Sequence, residues 1–204
     1  MMDAQLVGFL VGDGFCTKKK RRKNYLVGFH QAKKKSQIIK VYMDLLVKEA
    51  GKQHPIIEMA PKDVVKVYVY SKSLYQTLKA IKDNPSEYFE KLSSKDKVKF
   101  IGGFIDAEGC VKCDCVILYN SDRALLFTMQ NFIRFCGISS TLHYHHGCFE
   151  LHIWSKSSRE KLICLCRNFS VKLSRLSRRG ACAPAFAGDC RSQWQGGPDC
   201  LIKT

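Results

Sequence analysis

A chain of 204 residues with 46% hydrophobic content can bury one good core or two small ones, and its charge is more telling than its size. With 34 Lys and Arg against 18 Asp and Glu the formal charge is +16, which points to a polyanionic partner, because neutralising phosphate drives sequence-independent affinity for nucleic acid. A membrane is disfavoured: no stretch approaches the roughly eighteen apolar residues of a span, and the start MMDAQLVGFLVGDG lacks a basic leader, so an intracellular protein is expected, cytoplasmic in a prokaryote or within an organelle.

In chain order, residues 3–13 read as a short apolar helix with Asp3 as N-cap and Gly14 where a helix commonly stops. The stretch FCTKKKRRKNYLVGFHQA reads as two strands around a basic turn near Lys23 and Asn24. Residues 36–50 carry Ile38, Ile39, Tyr42, Leu45 and Leu46 at helical spacing and stop at Gly51. Strands are expected over 55–59 and 64–70, the alternation in VVKVYVYS favouring a sheet with one covered face, and a helix over 73–81 follows. The polar stretch KDNPSEYFEKLSSKDK, with Pro85 and two adjacent serines, reads as the joint between two halves.

The second half repeats the order: a helix over 95–108, strand material over 110–119 in a shorter first hairpin, a helix over 124–136 stopped by Gly137, a hairpin of 141–146 and 148–154 around Gly147, and a closing helix over 157–173. The expected organisation is therefore a first half at 1–92, a second at 93–177 and a disordered tail at 178–204, where small residues, Gly and Pro crowd without a period. Eleven cysteines are scattered through apolar patterns and read mostly as reduced core thiols. A zinc site from Cys110, Cys113 and Cys115 with His143, His145 and His146 is the less favoured reading, since no second CxxC pair exists.

The repeat itself is the sharpest signal. Residues 6–15, LVGFLVGDGF, return 95 positions later as residues 101–110, IGGFIDAEGC, and both copies end in a carboxylate followed by glycine. Gly8 and Gly12, like Gly103 and Ala107, are four apart, so each helix presents small residues on one face along which two backbones can approach closely. Glycine inside a helix costs about 1 kcal/mol relative to alanine, so its use at matching positions wants a packing reason. Asp13 and Glu108 then arrive at helix C-termini, where a carboxylate is disfavoured by roughly 0.3–1 kcal/mol. A hard cation reverses that sign: the two carboxylates, with the main-chain carbonyls of Gly12 and Ala107, make an oxygen-only set suited to Mg²⁺ and to phosphodiester hydrolysis.

On these residues the chain resembles the LAGLIDADG homing endonucleases in their single-chain, two-motif form, over about residues 3–175. The stretches VYVYSKSLYQTL and LYNSDRALL are similar to archaeal intron-encoded members. The resemblance implies an α+β fold of two pseudo-symmetric αββαββα halves with saddle-shaped antiparallel sheets, monomeric, with the motif helices packed together. It implies site-specific cleavage of double-stranded DNA for intron homing with Mg²⁺, for which Mn²⁺ can substitute. Carried onto this chain, it makes Asp13 and Glu108 the metal-binding acids, Gly12 and Ala107 the assisting carbonyls, and Gln31 a polar residue organising water near the metals. The basic residue expected after the motif meets Val111, so Lys112 or Lys18 takes that role. Val11 replaces the first motif acid, which Asp106 keeps.

For DNA contacts, the first hairpin offers Lys18, Lys20, Arg22, Tyr25, Lys33 and Lys34, and the second half His143, His145 and Trp154. A charge run alone is usually a solvated face; beside a metal-binding helix pair it becomes a groove and phosphate surface. The alternatives within the same resemblance are an intron RNA maturase and a non-catalytic nucleic-acid-binding protein, the latter disfavoured because both acids are kept.

Overall fold

A computed structural model describes residues 2–19, 24–51, 54–61, 63–112 and 114–178. Lys20, Arg22, Cys113 and the expected tail from residue 179 onward lie outside the described residues. The first half runs α1 (Ala4–Gly12), β1 (Gly14–Lys19), β2 (Asn24–Ala32), a 3₁₀ turn (Lys33–Lys35), α2 (Ser36–Ala50), β3 (Ile56–Ala60), β4 (Val64–Tyr70), α3 (Lys72–Asp83) and α4 (Pro85–Lys91). The second runs α5 (Ser94–Glu108), β5 (Gly109–Val111), β6 (Val116–Asn120), α6 (Arg123–Phe135), β7 (Thr141–His145), β8 (Cys148–Ile153), α7 (Lys156–Cys166) and α8 (Val171–Arg178). The sheets have the orders β1-β2-β4-β3 and β5-β6-β8-β7, antiparallel throughout, so one topology occurs twice and the expected α+β fold of two alike halves is what forms.

Local chemistry sets the boundaries. The Asp3 side chain accepts the backbone N–H groups of Gln5 at 2.9 Å and Leu6 at 3.1 Å, satisfying donors that an α-helix start leaves free. Ser71, Ser93, Asp122 and Ser155 cap α3, α5, α6 and α7 in the same way. On each sheet one face carries apolar side chains into the core, Val27, Phe29, Val67 and Val69 in the first and Val116, Leu118, Leu151 and Ile153 in the second. Strand alternation leaves the other face uncovered by helix.

Two expectations are corrected. The polar joint contains α4, which Pro85 opens at a first-turn position where its missing N–H costs nothing, and which buries Phe89 against Phe100 and Phe132, with ring centroids 5.2 and 6.1 Å apart. The buried apolar ring of Phe89 outweighs the polar composition around it. The closing helix of 157–173 is two helices, α7 and α8, separated at Arg167–Ser170; Ser170 Oγ accepts the Leu173 N–H at 3.2 Å and starts α8 afresh.

At the centre, α1 and α5 meet backbone to backbone. A Cβ placed on Gly8 would lie 2.0 Å from the Phe100 carbonyl oxygen, and one on Gly103 would lie 2.0 Å from that of Gln5. Around this seam Leu6, Phe9, Leu10, Phe100, Phe104 and Ile105 are fully buried, each contributing roughly 1.5–3 kcal/mol of apolar burial. Phe9 stacks on Tyr42 with ring centroids 3.7 Å apart, joining α1 to α2.

Candidate metal centre and nucleic-acid interface

Because the two helices run side by side with their small residues in contact, their C-terminal ends coincide. A Cβ on Gly12 would lie 2.7 Å from both Ala107 Cβ and Glu108 Cγ and 3.3 Å from Glu108 Oε1, so the end of each helix touches the other. Asp13 follows α1 directly and donates its backbone N–H to Phe9 at 3.0 Å, while Glu108 is the last residue of α5. Burial pushes the Asp13 carboxyl above its ordinary range; burial and then the neighbouring Asp13 charge do the same to Glu108. Two half-buried carboxylates, both raised chiefly by burial and Glu108 further by Asp13, stand at helix ends already carrying partial negative charge. Hard oxygen donors in that condition fit a divalent cation. Among the described residues no group of three or more His, Cys, Asp and Glu side chains forms a metal cluster, so any further donors here are main-chain or solvent oxygens.

Gln31, at the end of β2, is buried and donates from Nε2 to Asp13 Oδ2 at 2.5 Å while its Oε1 accepts the Ala32 N–H at 3.2 Å. Its amide therefore fixes one carboxylate oxygen of Asp13.

Three lysines face the acids. Lys82, from the last turn of α3, donates to the Gly14 carbonyl at 2.5 Å, and Lys172, from the first turn of α8, donates to the Gly109 carbonyl at 2.6 Å and that of Ile105 at 2.9 Å. Gly14 and Gly109 are the equivalent residues of the repeat, so each half supplies one lysine to the residue just past its acid. Burial lowers both ammonium groups, that of Lys172 to about 8. Lys35 closes the ring, its charge pulling the Asp13 carboxyl down. Lys82 and Lys172 were missed by sequence reasoning: one sat in the apparent polar joint, the other inside an apparently continuous helix. The available signal was their similar separation from the acids, 69 and 64 residues.

The structure puts other expected residues elsewhere. Lys112 lines a cleft with Lys156, Arg159, Ile163 and Leu176 on the side covered by α7 and α8, because β5 ends at Val111 and the chain turns toward those helices. Lys18 and Tyr25 pair across β1 and β2 on the helix side, where Tyr25 packs on Tyr75 at 5.0 Å and Lys18 lies 5.6 Å from the Tyr25 ring. Neither reaches the uncovered face, since both share the parity of core-facing Cys16 and Val27. Lys33 and Lys34 are exposed on the 3₁₀ turn after β2.

The uncovered face of the first sheet carries Phe15, Thr17, His30, Glu58, Lys66, Tyr68 and Tyr70. Glu58 is held there by Tyr68 at 2.7 Å and Lys66 at 3.1 Å. On the second sheet His143, His145 and Trp154 all lie on the uncovered face, with Glu150 and His152. His152 is 2.7 Å from Glu150, and its ring lies 5.0 Å from those of His143 and Trp154. Both faces thus carry aromatic rings and paired donors and acceptors, with each carboxylate held by a neighbour.

Comparison with known proteins agrees with this geometry. The family model described as LAGLIDADG-like domain matches residues 95–164. Homing endonuclease I-DmoI of Desulfurococcus mucosus is 26% identical over 162 residues, covering 74% of this chain and 80% of that protein. A structure of I-DmoI mesophilic variants superposes with a TM-score of 0.70 at 23% identity over 87% of this chain and 97% of that one. I-DmoI in complex with DNA and Mn gives 0.66 at 24% identity over 81% and 95%. The chain therefore resembles the LAGLIDADG homing endonucleases in sequence, carries a LAGLIDADG-like domain over residues 95–164, and has their fold across both halves.

Proposed function

We propose that the protein is a site-specific DNA endonuclease of the homing type, cutting both strands of a duplex laid across its two uncovered sheet faces with Mg²⁺ held between Asp13 and Glu108. The observation that carries this reading is the convergence of two half-buried carboxylates, each raised above its ordinary range, with one lysine from each half donating beside each acid. Asp13 and Glu108, with the carbonyls of Gly12 and Ala107, would hold the cation. When bound, the metal polarises the scissile phosphate and eases deprotonation of the attacking water. Gln31 keeps one Asp13 oxygen occupied and so orients the other. Lys82, Lys172 and Lys35 bring positive charge to a centre that must accept a phosphodiester and its developing charge. Complexes of I-DmoI with DNA have been solved with Mn, Ca and Mg, which supports a divalent cation here.

The charge of +16 supports a duplex partner, with Lys33, Lys34, His143, His145 and Trp154 as contacts. One chain holds both motifs, so a monomer is complete. An intracellular setting fits its free thiols at Cys16, Cys110 and Cys115. The test is a plasmid carrying the uninterrupted host locus, incubated with Mg²⁺ or EDTA. Linear product that requires metal and is lost in Asp13→Asn and Glu108→Gln supports the reading. Binding of intron RNA without DNA cleavage would replace it with the maturase reading.

A further inference from the structure

The repeat is not symmetric at its first acid: Val11 stands in the first copy and Asp106 in the second. Asp106 is fully buried, yet its carboxylate has four partners. Oδ1 accepts Ser170 Oγ at 2.8 Å and the Lys172 backbone N–H at 2.9 Å; Oδ2 accepts the Val171 backbone N–H at 2.8 Å and the Tyr42 hydroxyl at 2.9 Å. All four are donors, which suits an ionised carboxylate, an acceptor only. Ser170 and Tyr42 are themselves buried.

Three of these bonds grip one point, the start of α8, and the Lys172 side chain leaves from that point. It returns to the end of α5 and the start of β5 to donate to the carbonyls of Ile105 and Gly109, on either side of Asp106 and Glu108. Lys172 is thus fixed at both ends against α5, its main chain by Asp106 and its ammonium by two carbonyls. Lys82, its counterpart, issues from the end of α3, and Val11 offers no such grip.

We propose that Asp106 is a positioning residue for Lys172, so that the two halves hold their lysines by different means and the two strand cuts depend on them unequally. This rests on the endonuclease reading. Replacing the carboxylate takes an acceptor oxygen away from buried donors, and in Asp106→Asn an amide N–H₂ faces an N–H or O–H donor. The start of α8 then loosens and Lys172 with it, whereas Lys82 is untouched.

Two measurements test this. In plasmid cleavage, Asp106→Asn should slow one strand by about 10- to 100-fold more than the other, the usual cost of removing a group that orients a site residue, and nicked circles should accumulate. In the metal-free protein, acetic anhydride labelling read by mass spectrometry should show Lys172 becoming several-fold more reactive relative to Lys82 in the same chain. Tyr42→Phe removes the donor from α2 but leaves the three bonds to the start of α8, and should keep both readouts near wild type. If Asp106→Asn does not fold, Ser170→Ala carries the test, with a smaller shift in the same direction. Equal slowing of both strands, an unchanged Lys172 to Lys82 labelling ratio, or the same nicking from Tyr42→Phe would overturn the proposal. A wild-type protein that cuts nothing overturns the endonuclease reading instead, while the labelling ratio still reports on Asp106.

Discussion

Replacing Gly103 by alanine tests the seam on which the site depends. The new methyl carbon would lie 2.0 Å from the Gln5 carbonyl oxygen, 2.9 Å from its carbon and 3.0 Å from the Phe9 nitrogen, all of them main-chain atoms that cannot rotate away. Carbon to oxygen contacts settle near ~3.3 Å, so α1 and α5 must separate by roughly 1 Å. Overpacking costs about 1–3 kcal/mol, and a backbone clash belongs at the upper end. Alanine returns about 1 kcal/mol of helix propensity. The net loss is then ~2 kcal/mol, which for a chain of this size lowers Tm by roughly 4–8 °C. The separation also moves Asp13 from Glu108, and a displacement of about 1 Å in a catalytic arrangement costs about 100-fold in rate. Thermal unfolding by circular dichroism and single-turnover cleavage at saturating metal read the two effects. A variant as stable as wild type, or more so, would refute the close approach of the helices.

The carboxylates give a pH-dependent prediction. Both are raised in the folded protein, so their contribution to stability is present below the unfolded carboxylate range and lost as pH rises through the raised values. Metal-free Glu108→Gln should therefore melt above wild type at pH 7, an advantage that vanishes near pH ~3 where unfolded carboxyls are also protonated; a lower melting point in EDTA at pH 7 contradicts this. Binding to the target duplex should weaken as a linear function of log salt, by about 10³- to 10⁵-fold between ~50 and ~200 mM if six to ten phosphates are contacted. Lys33→Ala and Lys34→Ala should each reduce the slope by about 1, and fluorescence anisotropy showing unaltered slopes would remove the 3₁₀ turn from the interface.

The sequence spoke most clearly where local rules and burial agree. The motif helix α1, α2 and β4 could be read because local signals agreed with periodicity: the Asp3 cap before α1, the Gly51 stop after α2 and the alternation along β4. The convergence of Asp13 and Glu108 was legible because paired glycines have few other uses in a helix interior. What escaped was held by distant partners. Phe89 stabilises α4 through Phe100 and Phe132, which belong to the other half. The break before α8 depends on Asp106, some 65 residues earlier, and on Ser170. Lys82 and Lys172 join the site only because those helices end or begin where they do. That Lys18 and Tyr25 fall on the helix side was hidden for a different reason: strand parity assigns the face, and a run of basic residues masks the parity.

Two helices that touch through main-chain atoms have no intervening layer of side chains able to change rotamer and let one slide on the other. The distance between the two sheets is therefore held by the helix contact, as in a fixed caliper. On the endonuclease reading proposed above, a duplex seated across both must fit that span, and the work of fitting falls on the DNA. Base steps that yield easily at the middle of a site would then be preferred even where no side chain reaches them.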